Sequence, residues 1–161
     1  FELIWSAWAP GKFRFFIWTA ILGKILTADA LLRRGWENSY FCPLCERNLE
    51  TPFHLLVECP WVRDIWSSVA TLTSIPSLKP STRSGCTNIK EWMYTCIQQA
   101  PTTIKKGTLS LVHLVSWEVW RERNRRLFQK ELMPKVVLVR KIADEIHLWN
   151  MAGAGIPYDP G

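Results

Sequence analysis

The sequence predicts a mainly α-helical protein, and three observations lead there. Apolar residues recur at helical spacing in successive stretches, residues that start helices stand at their beginnings, and no alternating strand pattern runs beyond a few residues. At 161 residues, 48% hydrophobic and 21% charged, the chain is a folded one, long enough for one domain or for two small units sharing a core.

The elements follow in order. Phe13 to Leu22 is apolar on nearly every side, with Phe13, Phe16, Ile17 and Ala20 on one face and Phe15, Trp18 and Leu22 on another. That pattern predicts a buried helix, started by Pro10-Gly11. A second, short helix is framed by Thr27 as N-cap, Asp29 in the first turn and Gly35 past the end. Its Arg33 and Arg34 lie where the helix dipole favours cations. Thr51-Pro52 is a further helix start, and Pro60 opens a helix with Trp61, Ile65, Trp66 and Val69 on one face. Residues 71–88 are rich in Ser, Thr, Pro and Gly and read as a linker. Beyond them, 89–99, 108–131 and 134–151 read as helices, and 152–161 as a disordered tail. No run of eighteen uncharged apolar residues exists; the nearest approach, Phe15 to Leu22, ends at Gly23-Lys24. That stretch is no signal peptide either, being flanked by basic residues with no small-residue cleavage site after it. The chain begins at Phe1 rather than Met, as a fragment of a longer protein would.

The soft ligands are concentrated in one place. Cys42, Cys45, His54 and Cys59 have the spacing C-x2-C-x8-H-x4-C, while Cys86 and Cys96 have no partner at ligand spacing. Two cysteines two residues apart can face one metal from a tight turn, which Pro43 stiffens. The other pair comes from the Thr51-Pro52 helix start. Three Cys and one His form a closed tetrahedral set for one structural zinc ion, with no position left for a reactive water. A redox C-x-x-C would want a preceding strand in a βαβ unit, and buried cysteines with a chance histidine are the bland alternative. Clustering without a disulfide framework also implies a reducing, intracellular setting, nucleus or cytoplasm. His113 and His147 fall in helical stretches and read as core or surface histidines.

These residues carry a family resemblance. The segments WSAWAPGKFRFFIWTAILGKILTADALLRRG, CPLC and ETPFHLLVECPWVRDIW resemble the zinc-binding domain that follows reverse transcriptase in plant LINE-type (non-LTR) retrotransposons. The matching positions are Trp8, Pro10, Lys12, Phe16, Trp18, Thr27, Leu31, Arg34 and Gly35. They continue through Cys42, Pro43, Cys45, Glu50, His54, Leu55, Cys59 and Trp66. The later WEVWRERNRRLF, Trp117 to Phe128, is similar to a helical segment that often follows this domain. The resemblance implies a zinc module carried beside a polymerase in a polyprotein, with a role in nucleic-acid binding. The chain lacks a Tyr-x-Asp-Asp motif and any set of carboxylates able to hold magnesium, which phosphoryl chemistry requires. Its only adjacent acidic pair, Asp144-Glu145, reads as a solvated helix face, so the sequence points to no enzyme.

A net charge of +6 and a pI near 9.2 favour a polyanionic partner. The expected partner is RNA or DNA, single-stranded before duplex, and no membrane is expected. Two basic places are candidates for it. One is Lys12, Arg14, Lys24, Arg33 and Arg34, with Trp36 as the ring on which a base would stack. The other is Arg121, Arg123, Arg125 and Arg126, either a phosphate-contacting surface or simply the solvated face of an amphipathic helix. Trp18, Trp61, Trp66, Trp117 and Trp120 sit at core spacing. The expected architecture is thus a small zinc-stapled helical domain at 1–70, a linker at 71–88, a helical C-terminal segment at 89–151 and a disordered tail at 152–161. The expected function is a non-catalytic zinc module assisting RNA or DNA binding. The rival is a degenerate or protein-interaction fragment whose zinc is purely structural.

Overall fold

The computed structural model describes residues 2–83 and 85–158. Phe1, Ser84 and residues 159–161, which belong to the expected zinc unit, linker and tail, lie outside the described residues. The chain is mainly helical: α1 (Glu2–Trp5), α2 (Gly11–Ile21), α3 (Ala28–Arg33), α4 (Pro60–Thr73), α5 (Ile89–Gln98), α6 (Lys105–Asn124) and α7 (Lys135–Met151). Among the described residues the β structure is a single antiparallel bridge, Phe41 to Leu49. Pro10, Pro60 and Pro134 stand where the sequence places helix starts, as N-cap, first residue and N-cap. Each fixes its own φ near the helical value and lacks an N–H that would go unpaired there.

Helix α6 is the axis of the fold. Leu111, Val112, Leu114, Val115 and Val119 are wholly buried in it. It is packed by α2, α5 and α7. Each such side chain stabilises the fold by about 1.5–3 kcal/mol relative to exposure. Aromatic rings tie the N-terminal helices to this axis: Phe13 lies 4.9 Å from both Trp117 and Trp149, and Phe16 lies 5.6 Å from Trp120. Trp66 of α4 meets Trp92 of α5 edge-on at 5.2 Å.

Four expectations need correction. Helix α2 is not buried all round, because Phe15, and Leu22 at its C-cap, face solvent while Phe13, Phe16, Ile17 and Ala20 are buried. The expected boundary at 70 falls inside α4, and one cluster of buried side chains runs from Ile4 to Ile156. The first half of the expected linker is packed: α4 continues to Thr73, Ser74 takes a left-handed conformation, and Ile75 and Leu78 are wholly buried. Two apolar anchors suffice to hold a stretch whose polar composition hides them. The described part of the tail is also ordered against the core. Ala154 and Ile156 are buried, and Asn150 both donates to the Ile156 carbonyl and accepts from its N–H at 2.8 Å. Gly107 permits this approach, since a Cβ there would stand 2.3 Å from the Gly155 carbonyl oxygen.

Candidate metal centre

The first two ligands come from a tight hairpin. The Phe41–Leu49 bridge closes it, Cys42 N–H donates to the Asn48 carbonyl at 2.8 Å, and Glu46 N–H donates to the Cys42 carbonyl at 2.8 Å. Glu46 turns the chain with φ 58°. The third ligand begins a π-helical turn, His54–Glu58, whose entry is set by Thr51: its hydroxyl accepts from His54 N–H at 3.0 Å. The fourth, Cys59, precedes α4, and its N–H donates to the His54 carbonyl at 2.7 Å.

The four ligand atoms lie within 4.8 Å of one another, Cys42 Sγ being 3.9 Å from Cys59 Sγ and Cys45 Sγ 3.3 Å from His54 Nε2. A zinc tetrahedron with Zn–S near 2.3 Å has sulfurs about 3.8 Å apart, so the donors fit the ion in number, type and spacing. Cys42, His54 and Cys59 are buried and Cys45 is half-buried. The Cys59 thiol is held below its ordinary range by the Cys42 hydrogen bond, and by the backbone N–H groups of Val62 and Trp61 in the first turn of α4. Cys42 is pushed up to about 12 by its hydrogen bond to Cys59 and by burial. Burial works to lower His54, but hydrogen bonds to Cys42 and Cys45 outweigh it and raise the imidazole. Cys59 is therefore the readiest thiolate, and a dication replaces the protons the cluster otherwise shares. The arrangement makes Zn2+ a structural cofactor: four protein donors complete its coordination.

The basic candidates divide. Lys24, Arg33 and Arg34 are exposed, and Trp36 is 64% exposed. Arg33 pairs with Asp29 at 3.1 Å but keeps 61% of its side chain in solvent. Lys12 is exposed and sits over the Phe13 and Trp117 rings at 5.6 and 5.4 Å. Arg14 is half-buried and donates to the Trp5 carbonyl at 3.2 Å. The second place is corrected as a phosphate surface. Arg123 is 3% exposed and forks onto Glu50 at 2.7 and 2.8 Å. Arg125 and Arg126 both pair with the buried carboxylate of Glu122, the latter at 2.8 Å. Arg126 also stacks over Trp61 at 4.7 Å. Only Arg121 of that group reaches solvent freely, half exposed and 3.8 Å from Glu118. Asn124 accepts from Arg123 at 3.0 Å. Sequence reasoning missed the partners Glu50 and Glu122. It also missed three exposed residues of the metal hairpin, Tyr40, Phe41 and Arg47. Glu122 amid four arginines was the available signal.

No helix among the described residues is long and apolar enough to cross a membrane. No solved structure matches the chain. A putative ribonuclease H protein of Arabidopsis thaliana is 21% identical over 149 residues, 91% of this chain. The chain spans only 23% of that relative's length. Residues 1–66 match the family described as zinc-binding in reverse transcriptase, so the resemblance read from the residues holds across the metal cluster, and this part of the chain carries that family's zinc-binding signature.

Proposed function

We propose that the chain is a non-catalytic structural-zinc module of a reverse transcriptase polyprotein, working in the nucleus or cytoplasm, and that it assists the binding of single-stranded RNA or DNA. One observation carries this reading. Within one stretch of chain, from the turn before α3 through the zinc hairpin, Lys24, Arg33, Arg34 and Arg47 are exposed, and so are the rings of Trp36, Tyr40 and Phe41. Cations set among stacking rings are what a flexible polyanion with unpaired bases requires. A reverse transcriptase domain elsewhere in the polyprotein would supply the chemistry.

A salt titration with single-stranded RNA tests it. Four neutralised phosphates give a slope of log affinity on log salt of roughly −3, from about −0.7 per phosphate. Salt-insensitive binding, or none at low salt with the fold intact, would sink the proposal. The second reading, a protein-interaction fragment, draws on a different surface: Phe128, Leu132, Val136 and Met151 are each at least 66% exposed at the C-terminal end. Absence of RNA binding would favour it.

A further inference from the structure

Glu50 is an acidic residue buried to 1% exposure, next in sequence to the Thr51 that sets the entry of His54. Its backbone N–H donates to the Tyr40 carbonyl at 2.9 Å, so it also closes the base of the hairpin that bears Cys42 and Cys45. The carboxylate reaches in two directions. Oε1 accepts the Ala28 N–H at 2.9 Å, satisfying a donor at the start of α3 that Thr27 leaves uncapped. Both oxygens accept the guanidinium of Arg123 from α6, which also donates to the Leu26 carbonyl at 3.0 Å and packs on Trp120 at 4.8 Å. Arg126 adds a second link, donating to the carbonyl of Leu44 between the two hairpin cysteines at 3.4 Å.

We infer that the buried Glu50–Arg123 pair positions the metal hairpin, so that zinc affinity depends on α6, outside the segment that matches the zinc-binding family. The inference rests on the zinc reading of the cluster. Its physical basis is that Glu50 lies between the two ligand pairs in sequence, bonded to the hairpin base at Tyr40 and adjacent to the Thr51 that accepts from His54 N–H. A fork of two short charge-assisted bonds fixes a carboxylate's angle as well as its place. Partners bonded directly to metal ligands typically alter affinity by about 10–100-fold when lost, and the Glu50–Arg123 pair acts on the same ligands one step further out, through the hairpin backbone. Coupling of this sort is reciprocal, so zinc must in turn hold the end of α6.

The test uses the full chain and two probes. In the first, Zn2+ and Co2+ affinities are measured by competition with a chromophoric chelator. Arg123→Lys keeps the charge and loses the fork, and should weaken both ions at least about tenfold while the cobalt–thiolate absorption at saturation is unchanged. Glu50→Gln with Arg123→Met removes both charges, leaving no buried ion alone, and should lose affinity to a similar extent. The second probe is hydrogen exchange of the unmutated chain with and without zinc, which needs no variant to fold. Zinc should slow exchange at residues 119–129 as well as at 41–59. Affinities within twofold of the parent in folded variants would overturn the inference, as would zinc protection confined to 41–59. A parent chain that binds neither ion would instead defeat the zinc reading itself.

Discussion

Two places in this chain have the same charge and opposite fates. Arg33 and Arg34, at the end of α3, stand in solvent, whereas Arg123, Arg125 and Arg126, at the end of α6, are spent on Glu50 and Glu122 inside the fold. Counting arginines cannot separate them. What separates them is the position of an acid: Asp29 lies one turn before Arg33 on an open surface, while Glu122 lies one turn before Arg126 on a helix enclosed by other elements. A basic run interrupted by a buried acid is a bracket, and one on a short exposed helix is a surface.

The largest expected effect strikes the buried place through the metal and spares the exposed one. Structural zinc contributes on the order of 10–16 kcal/mol in small domains, comparable to or above the 5–15 kcal/mol of an ordinary fold. Chelation, or Cys59→Ser, should therefore open residues 41–70 to proteolysis and, through Glu50, loosen the buried arginines while leaving Arg34 as exposed as before. An unchanged digestion pattern and circular dichroism spectrum after complete metal removal would refute this.

Next comes the bracket itself. Glu122 is fully buried and accepts from Arg125, from Arg126 and from the Met133 N–H at 3.0 Å. Glu122→Gln strands two guanidiniums, and breaking a buried pair from one side costs about 3–5 kcal/mol. The matching change at the surface, Arg33→Gln, removes an exposed helix pair worth about 0.3–0.5 kcal/mol. Urea denaturation should show that contrast; equal effects would erase the distinction.

A third effect involves Arg14, which the sequence groups with the surface cations and the structure places near buried His113. The His113 Nδ1–H donates to the Leu109 carbonyl at 2.9 Å, leaving Nε2 buried with no partner. Burial first, and then the Arg14 charge, lower this imidazole to about 4 against the carbonyl's opposing pull. The unfolded chain takes up the proton near 6.5 and the folded one only near 4, so the neutral ring's contribution is whole above 6.5 and is lost as pH falls towards 4. About 3 kcal/mol disappears across that window. His113→Leu should flatten stability between pH 6.5 and 4; an unaltered pH profile would show that other groups carry it.

These contrasts also mark what was legible. Helix starts at Pro10, Pro60 and Pro134, and the ligand spacing of Cys42, Cys45, His54 and Cys59, are decided by neighbours within a few residues, so the sequence displays them. Glu50 and Arg123 are 73 residues apart, and no local pattern pairs them. Ile75, Leu78 and Ile156 were hidden for a related reason: single apolar residues in polar surroundings become anchors only once the fold supplies a surface for them.

The smallest effects test the exposed place directly, and they distinguish charge from stacking. Replacing Lys24, Arg33 and Arg34 by Gln should weaken single-stranded RNA binding alike for all sequences and flatten the salt slope by roughly 2, about 0.7 for each lost phosphate contact. Folding should hardly change, because none of the three is buried. Trp36→Ala should cost about 1–3 kcal/mol of binding with the slope intact, because a ring that stacks on a base releases no counterions. Arg121→Gln, the half-exposed member of the bracketed run, should alter neither quantity beyond one contact's share. A salt slope that responds to Arg121 as strongly as to Arg33 and Arg34 together would mean that the nucleic acid contacts both basic places. Burial of the other three arginines would then be no guide to where the polyanion lies.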